Sequence, residues 1–232
     1  MNTRWLLLLG ALSVVTAEAA PPDLSGIWMP ETKRTEALPR ALPYTPQVQA
    51  AVDLARKTYD EQLDDAGRNC LPYGMPQSML GTAAYPHEII QQPNRITMLF
   101  ELHMGVRRIY LDGRKIPEDA MRTRMGYSVG YWDGSTLVVE TAALSPQSSG
   151  AKRSERMRIT ERFELLTGPM ERNGKGLRVQ ITIDDPLTYT RPLIVNKYYT
   201  YGTGEFAMSE YFCTEDLWQQ IYSGSDSRIP WR

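Results

Sequence analysis

From His87 onward, apolar and polar residues alternate in short runs separated by turn pairs, the period-two pattern of strands that bury one face. HEIIQQ and ITMLFELHM flank Pro93-Asn94, and VRRIYLDG ends at Asp112-Gly113. YSVGYW and STLVVET flank Asp133-Gly134, the strongest hairpin signal in the chain. ERMRITERFELL, LRVQITIDD, PLIVNKYYTYG and EFAMSEYFC complete the series, and DLSGIWMP precedes it as a short strand. The pattern predicts nine or ten strands, mostly antiparallel. The helical period appears once. Thr45-Pro46 supplies an N-cap and a first-turn proline, and Val48, Val52, Ala55, Tyr59 and Leu63 follow at spacings of three and four, predicting one helix over 46–66 that ends near Gly67. CLPYGMPQSMLGTAAYP is irregular, because its prolines interrupt pairing. The expected fold is mainly β: a closed antiparallel barrel of about 8–10 strands, since closure leaves no sheet edge open. A barrel of this size can enclose one small ligand.

The first twenty residues follow a different pattern. Arg4, an apolar run from Trp5 to Val15 and then Ala17-Glu18-Ala19 make a secretory signal peptide, 1–19, with cleavage expected after Ala19. The remainder, 20–232, is read as a single β-barrel domain, exported and then periplasmic or secreted. No later apolar run is long enough for a membrane-spanning helix. A formal net charge of −1 gives no electrostatic reason to expect nucleic acid as a partner. Sixteen prolines and seventeen glycines suit a design with many turns. The two cysteines, Cys70 and Cys213, are expected to form a disulfide in an oxidising compartment, with two buried free thiols as the alternative.

Two constellations carry candidate chemistry. In MLFELHMGVRRIY, Glu101 and His103 share one strand face, while Met98 and Phe100 share the other with Leu102 and Met104. If the core is filled, the apolar side faces in and Glu101 and His103 meet water. In a ligand-binding barrel the polar side lines a cavity. There Glu101 and His103 serve as acid and base, and Arg107 or Arg108 stabilises negative charge. A bulge at Gly105 decides which arginine joins them. Counted from the Pro93-Asn94 turn, His87 falls opposite Phe100, on the other face from His103.

The second constellation is the Asp133-Gly134 hairpin. A two-residue loop there sets Tyr127 opposite Glu140, on a face shared with Val129, Tyr131 and Val138, as a second acid–base candidate. Tyr110, Tyr131 and Trp132, with Met98 and Phe100, are candidate ligand walls. Arg156, Arg158 and Arg162 alternate with Met157, Ile159 and Phe163 and read as a solvated outer face. Gly126-x-Ser128-x-Gly130 is no nucleophile elbow, because it lies within a hairpin. Two histidines are too few for a three-His zinc site, and the eleven methionines read as adaptable pocket filler rather than copper ligands. No metal or organic cofactor is expected.

The block YPHEIIQQPNRITMLFELHMGVRRIYLDGRKIPED, followed by MGYSVGYWDGSTLVVET, resembles a large group of exported bacterial proteins, mostly of unassigned function. Their pattern runs roughly P-x-E-I-[IV]-Q, [VM]-R-R-I-Y-x-D-G-R and G-x-S-x-G-x-W-x-G-x-T-L-V-V-x-T. SERMRITERF, TIDDPLTYTRP and EYFC are also similar to that group. Gly26-x-Trp28 resembles the first-strand motif of lipocalins and their calycin relatives. The resemblance implies an exported small barrel. Where the group usually has His, this chain has Tyr127. Three functional readings follow: a carrier of a hydrophobic, aromatic or polycyclic small molecule; a cofactor-independent isomerase, lyase, hydratase or cyclase acting on such a molecule; and an envelope module whose outer face binds another protein.

Overall fold

The computed structural model describes residues 20–59, 72–80, 85–146, 153–169, 171–203 and 207–211. The signal segment, Cys70 and Cys213 lie outside the described residues. Nine strands close a barrel in chain order: β1 (Gly26–Pro30), β2 (His87–Gln92), β3 (Arg95–Phe100), β4 (Gly105–Tyr110), β5 (Tyr127–Asp133), β6 (Thr136–Ala142), β7 (Arg158–Thr167), β8 (Lys175–Asp184) and β9 (Leu193–Tyr201). β9 returns to β1 through Trp28 opposite Tyr201, which closes the ring.

The barrel is mostly antiparallel, as the pattern predicts, with one exception. β4 and β5 run parallel, joined at Ile109–Ser128 and Tyr110–Val129. Residues 111–126 carry the chain back along the barrel before β5 begins, and a parallel neighbour requires a connection of that order. The Asp112-Gly113 turn therefore opens a crossover instead of a hairpin.

Alternation fills the barrel from within. Ile96 and Met98 of β3, Leu137 and Val139 of β6, Ile159 and Phe163 of β7, Val179 and Ile181 of β8 and Val195 of β9 are all buried. Met157 is buried while Arg156 and Arg158 are exposed, as the charge pattern of that strand predicts. Gly26-x-Trp28 also has a physical basis. Trp28 is fully buried, donates its indole N–H to the Leu24 carbonyl at 2.9 Å and meets the edge of Tyr201 at 5.3 Å. Gly26 sits under the same tyrosine, at φ 128°, where a Cβ would lie 2.5 Å from the ring. Only glycine fits both the space and the backbone.

Two expected elements change. The helix, α1, runs Pro46–Thr58, shorter than 46–66; Tyr59 is extended, and residues 60–66 lie outside the described set. No residue of α1 is buried, so its stripe of Val48 and Val52 is only half covered. Thr45 stands at the N-cap, but its hydroxyl donates to the Leu187 carbonyl at 3.1 Å instead of capping the helix. EFAMSEYFC was expected to be a strand, yet its described part, 207–211, is not in one.

Candidate functional site

A cavity of about 410 Å³ occupies the barrel mouth where β1 and β3 end and β2 begins, against Lys197 and Tyr199 from within β9. Its floor is Phe100, His87 and Tyr199, and its walls include Met79, Leu80, Leu38, Leu102, Tyr73 and Tyr85. Two segments roof it. Residues 31–36 run beside β9, with the Glu31 amide donating to the Tyr198 carbonyl at 2.8 Å and the Glu36 amide to Asn196 at 2.9 Å. The short helix α2 (Gln77–Leu80) supplies Met79 and Leu80. A second, more open depression of about 670 Å³ lies along residues 116–122 and 155–158, with the exposed Arg122–Glu155 pair on its rim.

Three polar side chains enter the apolar mouth from the inner faces of the strands. His87 is 3% exposed and packs edge-on to Tyr199 at 4.7 Å. Burial lowers its pKa to about 3, so the imidazole is neutral, and Nε2 has no hydrogen-bond partner among the described residues. Tyr199 donates its hydroxyl to the Met79 carbonyl at 3.3 Å, and burial with the nearby Glu161 carboxylate raises its pKa. Lys197 is 7% exposed; Nζ donates to the Glu36 carbonyl at 2.9 Å, and desolvation lowers its pKa despite the Glu36 carboxylate. Unpaired buried polar atoms are rare in folded proteins, so the Nε2 edge calls for a partner, an ordered water or a bound group.

Below this floor lies a sealed polar cluster. Arg107 and Glu161 are 1% and 0% exposed and form a two-pronged ion pair, Nη1 reaching Oε1 at 3.0 Å and Nη2 reaching Oε2. Arg107 also donates to Ser128 Oγ at 3.1 Å and Thr141 Oγ1 at 2.8 Å, and those hydroxyls bond each other at 2.8 Å. With its charge matched and its forked donors engaged, Arg107 is a closed structural unit in this conformation.

The residues singled out in the sequence are divided by the geometry. The expected strand through His103 stops at Phe100. Residues 101–104 form a loop, with His103 and Met104 at φ 58° and 49°, and β4 starts at Gly105. Folding back sets Arg107 opposite Met98 inside and Arg108 opposite Thr97 outside. Glu101 and His103 therefore share a rim loop, not a cavity-facing strand. The Glu101 carboxylate accepts the Ser209 amide at 2.6 Å, and the His103 ring sits between Tyr73 and Tyr211, each 4.9 Å away. Burial lowers the His103 pKa. Met98 and Phe100 point inward, and Phe100 reaches the cavity.

The hairpin register is displaced by two. Asp133 pairs with Thr136, so Gly134-Ser135 is the loop, with Gly134 at φ 59° in its first position. Gly-Ser satisfies a two-residue turn that needs left-handed geometry only at its first residue. Tyr127 consequently faces Ala142, and Glu140 faces Val129, so the expected Tyr127–Glu140 pair does not form. Both lie on the outer face, with the exposed Tyr131. Tyr110 is outside too, 5.3 Å from the Tyr127 ring and 4.0 Å beneath the Arg114 guanidinium. Trp132 is on the inner side, partly buried against the core.

His87, Glu161, Lys197 and Tyr199 were not among the candidates, although the same alternation marks them. Glu161 keeps the parity of Ile159 and Phe163, Lys197 that of Val195, and His87 that of Ile89. His87 does pair with Phe100, as counting from the turn predicts. Among the described residues no group of three or more His, Cys, Asp or Glu side chains is placed to hold a metal ion. No helix among them is long and apolar enough to cross a membrane. No protein-family model matches the chain, and no curated protein matches it. The closed barrel and its mouth cavity define a fold compatible with small-molecule binding.

Proposed function

We propose that this protein is an exported small-molecule carrier that holds a hydrophobic, aromatic or polycyclic ligand in the barrel mouth; the resemblance to a group of exported bacterial proteins supports the export and the small barrel. One observation carries the reading: a cavity of about 410 Å³, walled mainly by apolar and aromatic side chains with Thr32, Thr35, Glu36, Gln77 and Ser78 among them, contains a buried imidazole nitrogen with no partner among the described residues. Ligand pockets have this character, an apolar lining with a few fixed polar groups, and volumes from about 300 Å³ upward. The acid–base alternative is less favoured. Glu101 is engaged by Ser209, and His103 is packed between tyrosines outside the cavity wall.

The test is mass spectrometry of mature protein recovered from a metabolite extract, beside Leu38→Trp, which narrows the cavity. A compound retained by wild type and lost from Leu38→Trp supports a carrier. Retention by both, or by neither, contradicts it. A compound consumed with a defined mass change replaces the carrier reading with the enzyme reading. Export is tested separately: the proposal predicts a mature chain beginning at Ala20, and an intact Met1 in the cytoplasm contradicts it.

A further inference from the structure

Lys197 is the anomaly of the cavity wall. Lysine is almost never fully buried unless paired, because removing an ammonium ion from water is expensive. Here the side chain enters from β9 between Val195 and Tyr199 and is 7% exposed. Among the described residues it forms no ion pair, and the acceptor it reaches is the Glu36 carbonyl at 2.9 Å. An ammonium carries three donors, so this contact leaves two for other partners. Among the described residues the Glu36 carboxylate is the counter-charge that acts on Lys197; Glu36 is exposed and lines the cavity at its rim. It accepts the Asn196 amide at 2.8 Å and the Asn196 side chain at 3.1 Å. Glu161, behind Tyr199, is committed to Arg107. His87 is neutral. The cavity therefore offers a desolvated cation, an unpaired imidazole nitrogen and an aromatic floor.

We propose that the ligand is an organic anion: an aromatic body against Phe100, Met79 and Leu80, ending in a carboxylate seated on Lys197. This deepens the carrier reading and rests on it. A carboxylate would supply the missing counter-charge and accept the remaining ammonium donors. Charge-assisted contacts of this kind are about twice as strong as neutral ones. If Lys197 merely pinned residues 31–36 to β9, acid and neutral ligands would bind alike.

The test is calorimetric titration with 2-naphthoate and its neutral counterpart 2-naphthylmethanol. Wild type is expected to bind the acid at least about tenfold more tightly. Lys197→Met is expected to bring the two affinities within about threefold, mainly by weakening the acid. Lys197→Gln keeps a donor for the Glu36 carbonyl and should behave as Lys197→Met does. If Lys197→Met fails to fold, Lys197→Gln and the wild-type ratio still decide. Equal affinities in wild type, or a preference that survives in Lys197→Gln, would overturn the anion while leaving the carrier standing. Binding of neither compound would overturn the mouth cavity as the site, and the anion with it.

Discussion

Replacing Glu161 by Gln should be among the most damaging polar substitutions in this protein. The side chain is 0% exposed and faces Arg107, which is 1% exposed. The variant leaves the guanidinium with two hydroxyl acceptors, Ser128 and Thr141, and one amide oxygen, but turns the second oxygen into a donor facing it and removes the counter-charge. Breaking one side of a buried pair costs about 3–5 kcal/mol, because the surviving charge has neither water nor partner. By contrast, the surface pair Arg162–Asp133, also at 3.0 Å, is worth about 0.2–1 kcal/mol. For a protein of this size each kcal/mol moves Tm by about 2–4 °C, so Glu161→Gln should melt about 6–20 °C below wild type. Arg107→Met should lose a similar amount. The double variant Arg107→Met with Glu161→Gln should lose far less than the sum, since no buried charge is then left unpaired. Thermal and urea unfolding of the four proteins by circular dichroism measures all of this. Glu161→Gln within about 1 kcal/mol of wild type, or singles that simply add, would show that water reaches the pair and would refute the sealed cluster.

Three further outcomes are expected. The folded pKa of His87, about 3, lies below its unfolded value of 6.5, so as pH falls through 6.5 the unfolded chain takes a proton that the folded one refuses. Its contribution is present in full above pH 6.5 and declines toward pH 3 at about 1.4 kcal/mol per pH unit. Urea unfolding at pH 7, 5 and 4 should show wild type losing stability relative to His87→Phe as pH falls, and parallel curves would contradict burial of the neutral ring. Gly126→Ala places a Cβ 2.6 Å from the Ala142 carbonyl oxygen at φ 71°, whereas Gly113→Ala meets open space at φ 78°. The first should cost more than the second, which should lose only about 1–2 kcal/mol of backbone strain, and the reverse order in thermal melts would be incompatible with this packing. Glu101→Gln should speed hydrogen exchange at the Ser209 amide while changing global stability by less than about 1 kcal/mol, and a collapse of the cooperative melt would make Glu101 a core residue instead.

The strand order was legible because each strand carries its own alternation, and Trp28, Met98, Ile159 and Phe163 turn inward as that pattern requires. The loop at 101–104 was not. ELHM continues the alternation of β3 through a turn that places His103 and Met104 in the left-handed region, a conformation no local preference of Met announces. Of the two placements the alternation left open for Glu101 and His103, the turn puts them on a rim and not on a cavity wall. The β5–β6 register failed for a narrower reason: Asp-Gly and Gly-Ser overlap at Gly134, and both are acceptable two-residue turns. The buried polar groups escaped notice for the opposite cause. His87, Lys197 and Glu161 interrupt mostly apolar inner faces, and one polar residue in such a run looks like noise until its neighbours in space are known.

The most direct test of the mouth cavity as the binding site is methyl NMR of the protein labelled at methionine and leucine, titrated with 2-naphthoate. The account predicts shifts at Met79, Leu80 and Leu38 that saturate together, with Met157 and Leu187 unmoved. Saturating shifts at those two distant methyls with Met79 and Leu80 silent, or no shift anywhere, would contradict it.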